Sequence, residues 1–176
     1  DALFGTTNLW VDPRINLFEV IVEGKKWVVS KETIVKLKHQ FDAVEVGKQV
    51  SGEDFIGKKV ITPITKKEVL VAKAVFIDPK QGTGIVYSSP AGAPHDYIGL
   101  VEAKKEGRLP LDVEVVVTVD NYDKKGNKIE YSGSCPAEDK CNKFSVQSSK
   151  DLDKLEEAKQ ELYKEEHYGG KLNHLC

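Results

Sequence analysis

The stretch from Phe76 to Leu100, FIDPKQGTGIVYSSPAGAPHDYIGL, constrains this chain more than any other. Val69 to Ile77 reads as one apolar strand and Ile85 to Tyr87 as a second. Gly82-Thr83-Gly84 between them supplies the glycines that a tight turn with positive φ requires. A loop of small residues and prolines follows, and an apolar-periodic helix then runs from Tyr97 to about Glu106, which puts Asp96 where a helix N-cap stands. Ser88, Ser89, Ala91, Gly92 and Ala93 leave the backbone open enough for a ligand to approach closely. The loop is therefore a candidate pocket floor, and Asp96 at its lip a candidate partner for an ammonium group. The same residues also have a plainer reading, as a turn between strands and a helix cap.

Composition narrows the classes of function. With 40% apolar and 31% charged residues, a chain of 176 residues is expected to fold as one domain with a real core. A net charge of −2 argues against gripping nucleic acid over a long footprint, because that takes many cations on phosphates. It leaves room for a brief grip on a single-stranded end. No apolar run approaches the roughly 20 residues that span a bilayer, and no signal peptide opens the chain, so the expected location is the cytoplasm. Cys135, Cys141 and Cys176 are too few and too irregular for a disulfide framework. Cys135 and Cys141 could bridge or form half of a metal site, but no further pair at ligand spacing accompanies them, and no metal is expected.

Along the chain, Phe18 to Ile21 and Trp27 to Ser30 flank Glu23-Gly24-Lys25-Lys26 as a β-hairpin. Ser30 then caps a helix through about Gln40 with Ile34, Val35 and Leu37 inward. Val44 to Val75 is rich in β-branched residues, with turns at Gly47, Ser51-Gly52 and Thr62-Pro63. That pattern suits a small closed or nearly closed barrel of about six strands with helices outside. It holds no nucleophile beside a base, and Thr62 and Thr65 read as strand surface. Leu111 to Asp120 is the clearest strand; Asn121 to Lys128 is a turn with Gly126 left-handed, and Ile129 to Ser132 returns from it. Gly133 to Asn142 reads as a polar loop. Ser149, Asp151 and Asp153 open the last helix, with Leu152, Leu155, Ala158, Leu162 and Tyr163 as its inner stripe and a stop at Gly169-Gly170. His167 and His174 read as a helix-end cation and a tail residue.

Three segments carry a family resemblance. GTGIVYSSPAGAPHDY resembles the GTG-x-V-x-x-x-P-x-x-x-x-x-DY signature of the editing domain inserted in class I aminoacyl-tRNA synthetases of the leucyl, isoleucyl and valyl group. DALFGTTNLWVDP resembles the leucyl enzymes' ET-x-x-G-x-TN-x-WV-x-P. VQSSKDLDKLEEAKQELYKEEHYGG resembles IQSQ-x-D-x-x-KL-x-EAK-x-x-IY-x-x-x-x-Y-x-G, and both forms are those of the archaeal and eukaryotic cytosolic branch. Gly24 to Val69 and Asn121 to Asn142 match only loosely.

The resemblance implies a mixed α/β fold with a β-barrel core and helices packed around it. It implies one editing domain over residues 1–176, excised from a larger synthetase and monomeric by itself, with no contact to membranes. The implied activity is an aminoacyl-tRNA deacylase that clears isoleucine, valine or norvaline from mischarged tRNA-Leu. Its implied partners are the 3′ end of that tRNA and the rest of the synthetase. The domain needs no cofactor; ATP and magnesium serve the parent enzyme. Carried over by position, Asp96 binds the substrate amino group, and Lys80, Gln81, Gly82, Thr83 and Gly84 lie against the terminal adenosine. Ala2, Phe4, Tyr87, Ser88, Ser89 and Gly92 line the amino-acid pocket. No residue acts as nucleophile, because the water is positioned by backbone groups and the substrate's ribose hydroxyl. The chain departs from the family at three places: Ala2 stands for a leucine-excluding threonine, Ser89 for a bulky residue and Gly92 for a histidine. These losses imply a pocket open to leucine. They also leave room for a fold that binds the tRNA end, or is merely structural, with editing weakened or lost. An isoleucyl or valyl editing domain is the remaining alternative.

Overall fold

The computed structural model describes residues 2–110, 112–122, 125, 127–129 and 133–173. They divide into two units, each with its own core. The first comprises Asn8–Val60 and Glu68–Tyr87. It opens with β1 (Asn8–Val11), followed by β2 (Asn16–Val22) and β3 (Lys25–Ser30) as an antiparallel hairpin in which Val22 faces Lys25. Glu23 and Gly24 take φ of 48° and 73°, the pair of positive values that lets a two-residue turn match strand twist. Ser30 caps α1 (Lys31–Gln40), its hydroxyl accepting the Thr33 N–H at 3.3 Å. Thr33, Ile34 and Leu37 face inward, but Val35 is 58% exposed, because a step of about 100° per residue carries it past the stripe those three define.

β4 (Val44–Ser51) pairs with β2 on the side opposite β3. Gly47 lies inside this strand at a slip in register rather than in a turn; a Cβ there would come within 3.1 Å of the Glu19 carbonyl. Ser51 and Gly52 do turn the chain, into a short 3-10 helix in which the Ser51 hydroxyl accepts the Glu53 N–H and the Asp54 carboxylate accepts the Ser51 N–H. A second sheet has the order β5-β6-β1-β7, built from β5 (Lys59–Ile61), β6 (Glu68–Lys73), β1 and β7 (Ile85–Ser88), with β1 and β6 parallel.

The expected closed barrel of about six strands with helices around it is not what forms. Closure needs an unbroken ladder returning from the last strand to the first. Among the described residues one ladder ends at β3 and β4 and the other at β5 and β7, so both sheets are open. β-branched spacing gives each strand its extended form but does not choose its neighbours, and the parallel β1–β6 pairing is such a choice.

The second unit comprises Asp1–Thr7, Ile61–Lys67 and Ser88–Cys176. Its core joins α2 (Pro94–Lys105), α3 (Pro136–Lys143) and α4 (Leu152–Gly169) through Tyr97, Ile98, Cys135, Cys141, Leu155 and Leu162. Of the strand expected from Leu111 to Asp120, only β8 (Val117–Thr118) forms a ladder among the described residues, with β11 (Lys171–Leu172). Val113 and Val115 pack on the helices instead, and Leu111 lies outside the described residues. A hairpin does form, but its ladder of β9 (Asn121–Tyr122) with β10 (Lys128–Ile129) takes in both ends of the segment read as its turn; Gly126 and residues 130–132 lie outside the described residues. Thr62 is not strand surface: it is buried in a turn, its hydroxyl 2.6 Å from that of Thr65 and accepting the Lys67 N–H. In α4, Leu155, Ala158 and Leu162 are buried, whereas Leu152 and Tyr163 are 61% and 48% exposed. His167 sits in the last turn of α4 as expected, edge-on to Tyr168, and His174 lies outside the described residues. No helix among the described residues is long and apolar enough to cross a membrane.

The segment read as a polar loop from Gly133 to Asn142 contains α3. Its charges misled because one of them is buried: Lys140 is 1% exposed, and its ammonium bonds Glu161 at 3.0 Å and Glu165 at 2.7 Å on α4. Cys135 and Cys141 are free thiols in the core, and burial pushes them up to about 11 and about 12. Burial pushes the Glu161 carboxyl up, but Lys143 and Lys140 more than offset it, so it titrates below its ordinary 4.5. A carboxylate depressed in the folded state stabilises above its unfolded pKa, and that stability is lost as pH falls through the folded one. Lys140→Ala strips a buried cation from two carboxylates and is expected to cost about 3 kcal/mol. Lys171→Ala, at an exposed pair with Asp120, is expected to cost under about 1 kcal/mol. Urea unfolding at pH 7 measures both, and repeating it near pH 3 should show the gap between Lys140→Ala and the parent shrinking.

Candidate functional site

α2 begins at Pro94 with Ala93 as its cap residue and no side-chain capping bond. Asp96 is therefore the third helical residue and not the N-cap. Its carboxylate turns back instead, and Oδ2 accepts the Ser89 N–H at 2.9 Å. The Gly92 N–H donates to the Ser89 carbonyl at 3.2 Å, which closes the small-residue loop on itself, and the Thr7 N–H donates to the Ser88 carbonyl at 3.0 Å. Such a loop is fixed before any ligand arrives, and a charge-assisted bond to backbone N–H is among the stronger ways to fix it.

Around this loop the expected pocket residues take different positions. The Ser89 hydroxyl lies 2.7 Å from where a Cβ on Gly5 would stand, so glycine at that position is what admits it. Ser88 is fully buried, and its hydroxyl finds no hydrogen-bond partner among the described residues, a state that costs about 1–3 kcal/mol. Phe4 is half-buried, while Ala2 is exposed, its carbonyl accepting the Thr6 hydroxyl at 2.7 Å. Tyr87 is 38% exposed on β7. A Cβ on Gly92 would lie 3.3 Å from Glu166 Oε1, so the space in front of this glycine is occupied rather than empty.

Glu166 and Tyr163 on α4 belong to this neighbourhood, although no motif in the sequence marks either for a site role. Burial, and then Glu165, push the Glu166 carboxyl up to about 7. Partial burial and the charges of Asp96, Glu166 and Glu156 raise the Tyr163 phenol. His95 is lowered by burial and by Lys159, with Glu156 opposing. The only local signal was that Tyr163 and Glu166 stand three apart and so share a helix face. Nothing in the sequence pairs that face with Gly92.

Lys80, Gln81, Gly82, Thr83 and Gly84 lie in the other unit and are brought together on the start of α1. Gly82 and Gly84 take φ of 56° and 84°, values a side chain would disfavour. Four donors of the α1 region hold the turn from beneath. The Ser30 N–H reaches the Thr83 carbonyl at 2.7 Å, the Ser30 hydroxyl that of Pro79 at 2.8 Å, the Thr33 hydroxyl that of Gly82 at 2.6 Å, and the Lys36 ammonium that of Lys80 at 2.5 Å. Asp78 Oδ1 accepts the Lys80 N–H at 2.9 Å. The exposed Lys80 and Gln81 side chains are thereby presented on a fixed backbone. Among the described residues no three His, Cys, Asp or Glu side chains are grouped to hold a metal ion.

No family model matches the chain. Curated relatives do: the leucine–tRNA ligase of Pyrococcus horikoshii is 35% identical over 178 residues and that of Methanopyrus kandleri 39% identical over 182, each match covering 97% of this chain. The chain spans 18% of the length of these relatives. Among solved structures, the editing domain of the cytosolic leucyl-tRNA synthetase of P. falciparum superposes with a TM-score of 0.78 at 19% identity, covering 97% of this chain and 65% of that one. That of P. knowlesi gives 0.79 at 14% identity, covering 97% and 69%. Matched along nearly its whole length to these ligases, and folded like the editing domains of cytosolic leucyl-tRNA synthetases, the chain belongs to the leucyl-tRNA synthetase family.

Proposed function

We propose that residues 1–176 act as one editing domain that hydrolyses the ester joining isoleucine, valine or norvaline to tRNA-Leu. The observation that carries this reading is the Asp96 carboxylate, held by the Ser89 N–H at the lip of a loop of small residues. An aminoacyl ester is already activated, so its hydrolysis needs mainly a positioned water and an oriented carbonyl, and proximity alone supplies several kcal/mol. Asp96 takes the α-ammonium and so fixes the ester. Backbone groups and the substrate's own ribose hydroxyl hold the water, and no side chain acts as nucleophile. The Lys80–Gly84 turn receives the terminal adenosine on the backbone that Ser30, Thr33 and Lys36 hold in place.

The need for such a site follows from binding energetics. One methylene is worth about 1–3 kcal/mol, a magnitude measured on synthetases of this class, so a single pocket cannot separate leucine from its near relatives. A second, hydrolytic pocket must then spare leucine. The partners of this reading are the 3′ end of tRNA-Leu and the rest of a cytoplasmic synthetase, whose ATP and magnesium serve aminoacylation elsewhere. The exposure of Ala2 at a position that should wall the pocket favours a second reading, in which the fold still binds the tRNA end but edits weakly.

A deacylation assay with isoleucyl- and leucyl-tRNA separates the two. Asp96→Asn keeps an oxygen to accept the Ser89 N–H but removes the charge that pairs with the ammonium. A charged hydrogen bond is worth about 1.5–3 kcal/mol, so hydrolysis of isoleucyl-tRNA should fall by about tenfold to a hundredfold, with the thermal midpoint within a few degrees of the parent. Unchanged hydrolysis in this variant would remove Asp96 from the site.

A further inference from the structure

Glu165 and Glu166 are adjacent on α4 and do different things. The Glu165 carboxylate bonds the buried Lys140; about 100° further round the helix, Glu166 carries its carboxyl to Gly92, with Oε1 3.3 Å from where a Cβ would stand. That distance is closer than ordinary van der Waals contact, so a side chain at position 92 and the carboxyl of Glu166 compete for one space. Tyr163, three residues before Glu166, lies near enough to both Asp96 and Glu166 for their charges to raise its phenol. We propose that Glu166 is a wall of the amino-acid pocket and limits its size at Gly92, so that isoleucine, valine and norvaline fit and leucine does not. The proposal rests on the reading of Asp96 and its loop as the amino-acid pocket.

The chemistry suits the role. A wall against an aliphatic side chain should be uncharged, and burial keeps the Glu166 carboxyl protonated up to about 7. The titratable groups that act with it are Glu165 and Tyr163, both on its own helix. A glutamate also differs from a rigid residue in that it fills the room only while its stem points inward. Glycine at 92 is what permits that direction.

The test measures binding rather than turnover. Adenosine carrying isoleucine or leucine through a non-hydrolysable 3′-amide is titrated calorimetrically into the chain. The parent should prefer the isoleucyl compound by about tenfold or more, the discrimination expected of a steric contact. Glu166→Ala should abolish the preference by gaining affinity for the leucyl compound, and Glu166→Gln, of equal size, should keep it. Glu166→Asp, one methylene shorter, should fall between and serves as the test if the alanine variant does not fold. A preference unchanged in the shortened variants overturns the proposal, and so does a parent that binds the two compounds equally or binds neither. If the preference collapses as expected while the parent leaves isoleucyl-tRNA intact, the wall stands and the hydrolase reading falls.

Discussion

A lysine with 1% of its side chain exposed must be answered where it lies, and Glu161 and Glu165 answer Lys140. Removing water from an ammonium costs several kcal/mol unless charges and hydrogen bonds replace it. Burial alone would lower the Lys140 pKa, yet Glu165 and Glu161 raise it above the ordinary value. This requirement fixes the rotation of α4 against α3. Once Glu165 is committed to Lys140, the next residue round the helix must face elsewhere, and Glu166 meets the loop at Gly92. A contact outside the loop thereby decides what stands in front of it.

The other unit is organised by a different constraint. Ser30 ends β3, caps α1 and, with Thr33 and Lys36, supplies donors to the carbonyls of a turn some 50 residues later in the chain. Positive φ at Gly82 and Gly84 would otherwise leave that turn with many alternatives. Consuming its carbonyls from one side leaves one backbone course. The consequence for recognition is preorganisation, since a surface already ordered loses little entropy when a ligand docks.

The three small residues Ala2, Ser89 and Gly92 illustrate how far volume can be argued from a sequence. Each has less bulk than the residue that family resemblance places there, and by itself that implies an open pocket. The structure gives each a different neighbourhood. Ser89 is drawn toward Gly5, Gly92 faces a carboxyl from α4, and Ala2 alone is left exposed. Side-chain volume at one position is therefore a poor guide to cavity volume, because packing lets a neighbour move into room that a substitution vacates.

What neighbours within a few residues decide was legible along the chain. Glu23-Gly24 specified the first hairpin, Ser30 the start of α1, the two glycines the turn at 82–84, and Leu155, Ala158 and Leu162 the buried stripe of α4. Each rests on backbone preference or helical period, which act over one or two turns of chain. The motifs at both ends and at GTGIVYSSPAGAPHDY also carried the family. Tertiary structure decided the rest: the parallel pairing of β1 with β6, the open sheets in place of a barrel, the burial of Lys140 inside what reads as a polar loop, and the placing of Glu166 at Gly92. These are choices of partner among residues far apart in the chain. Their energies are set by what else is already packed nearby, and no local pattern encodes that.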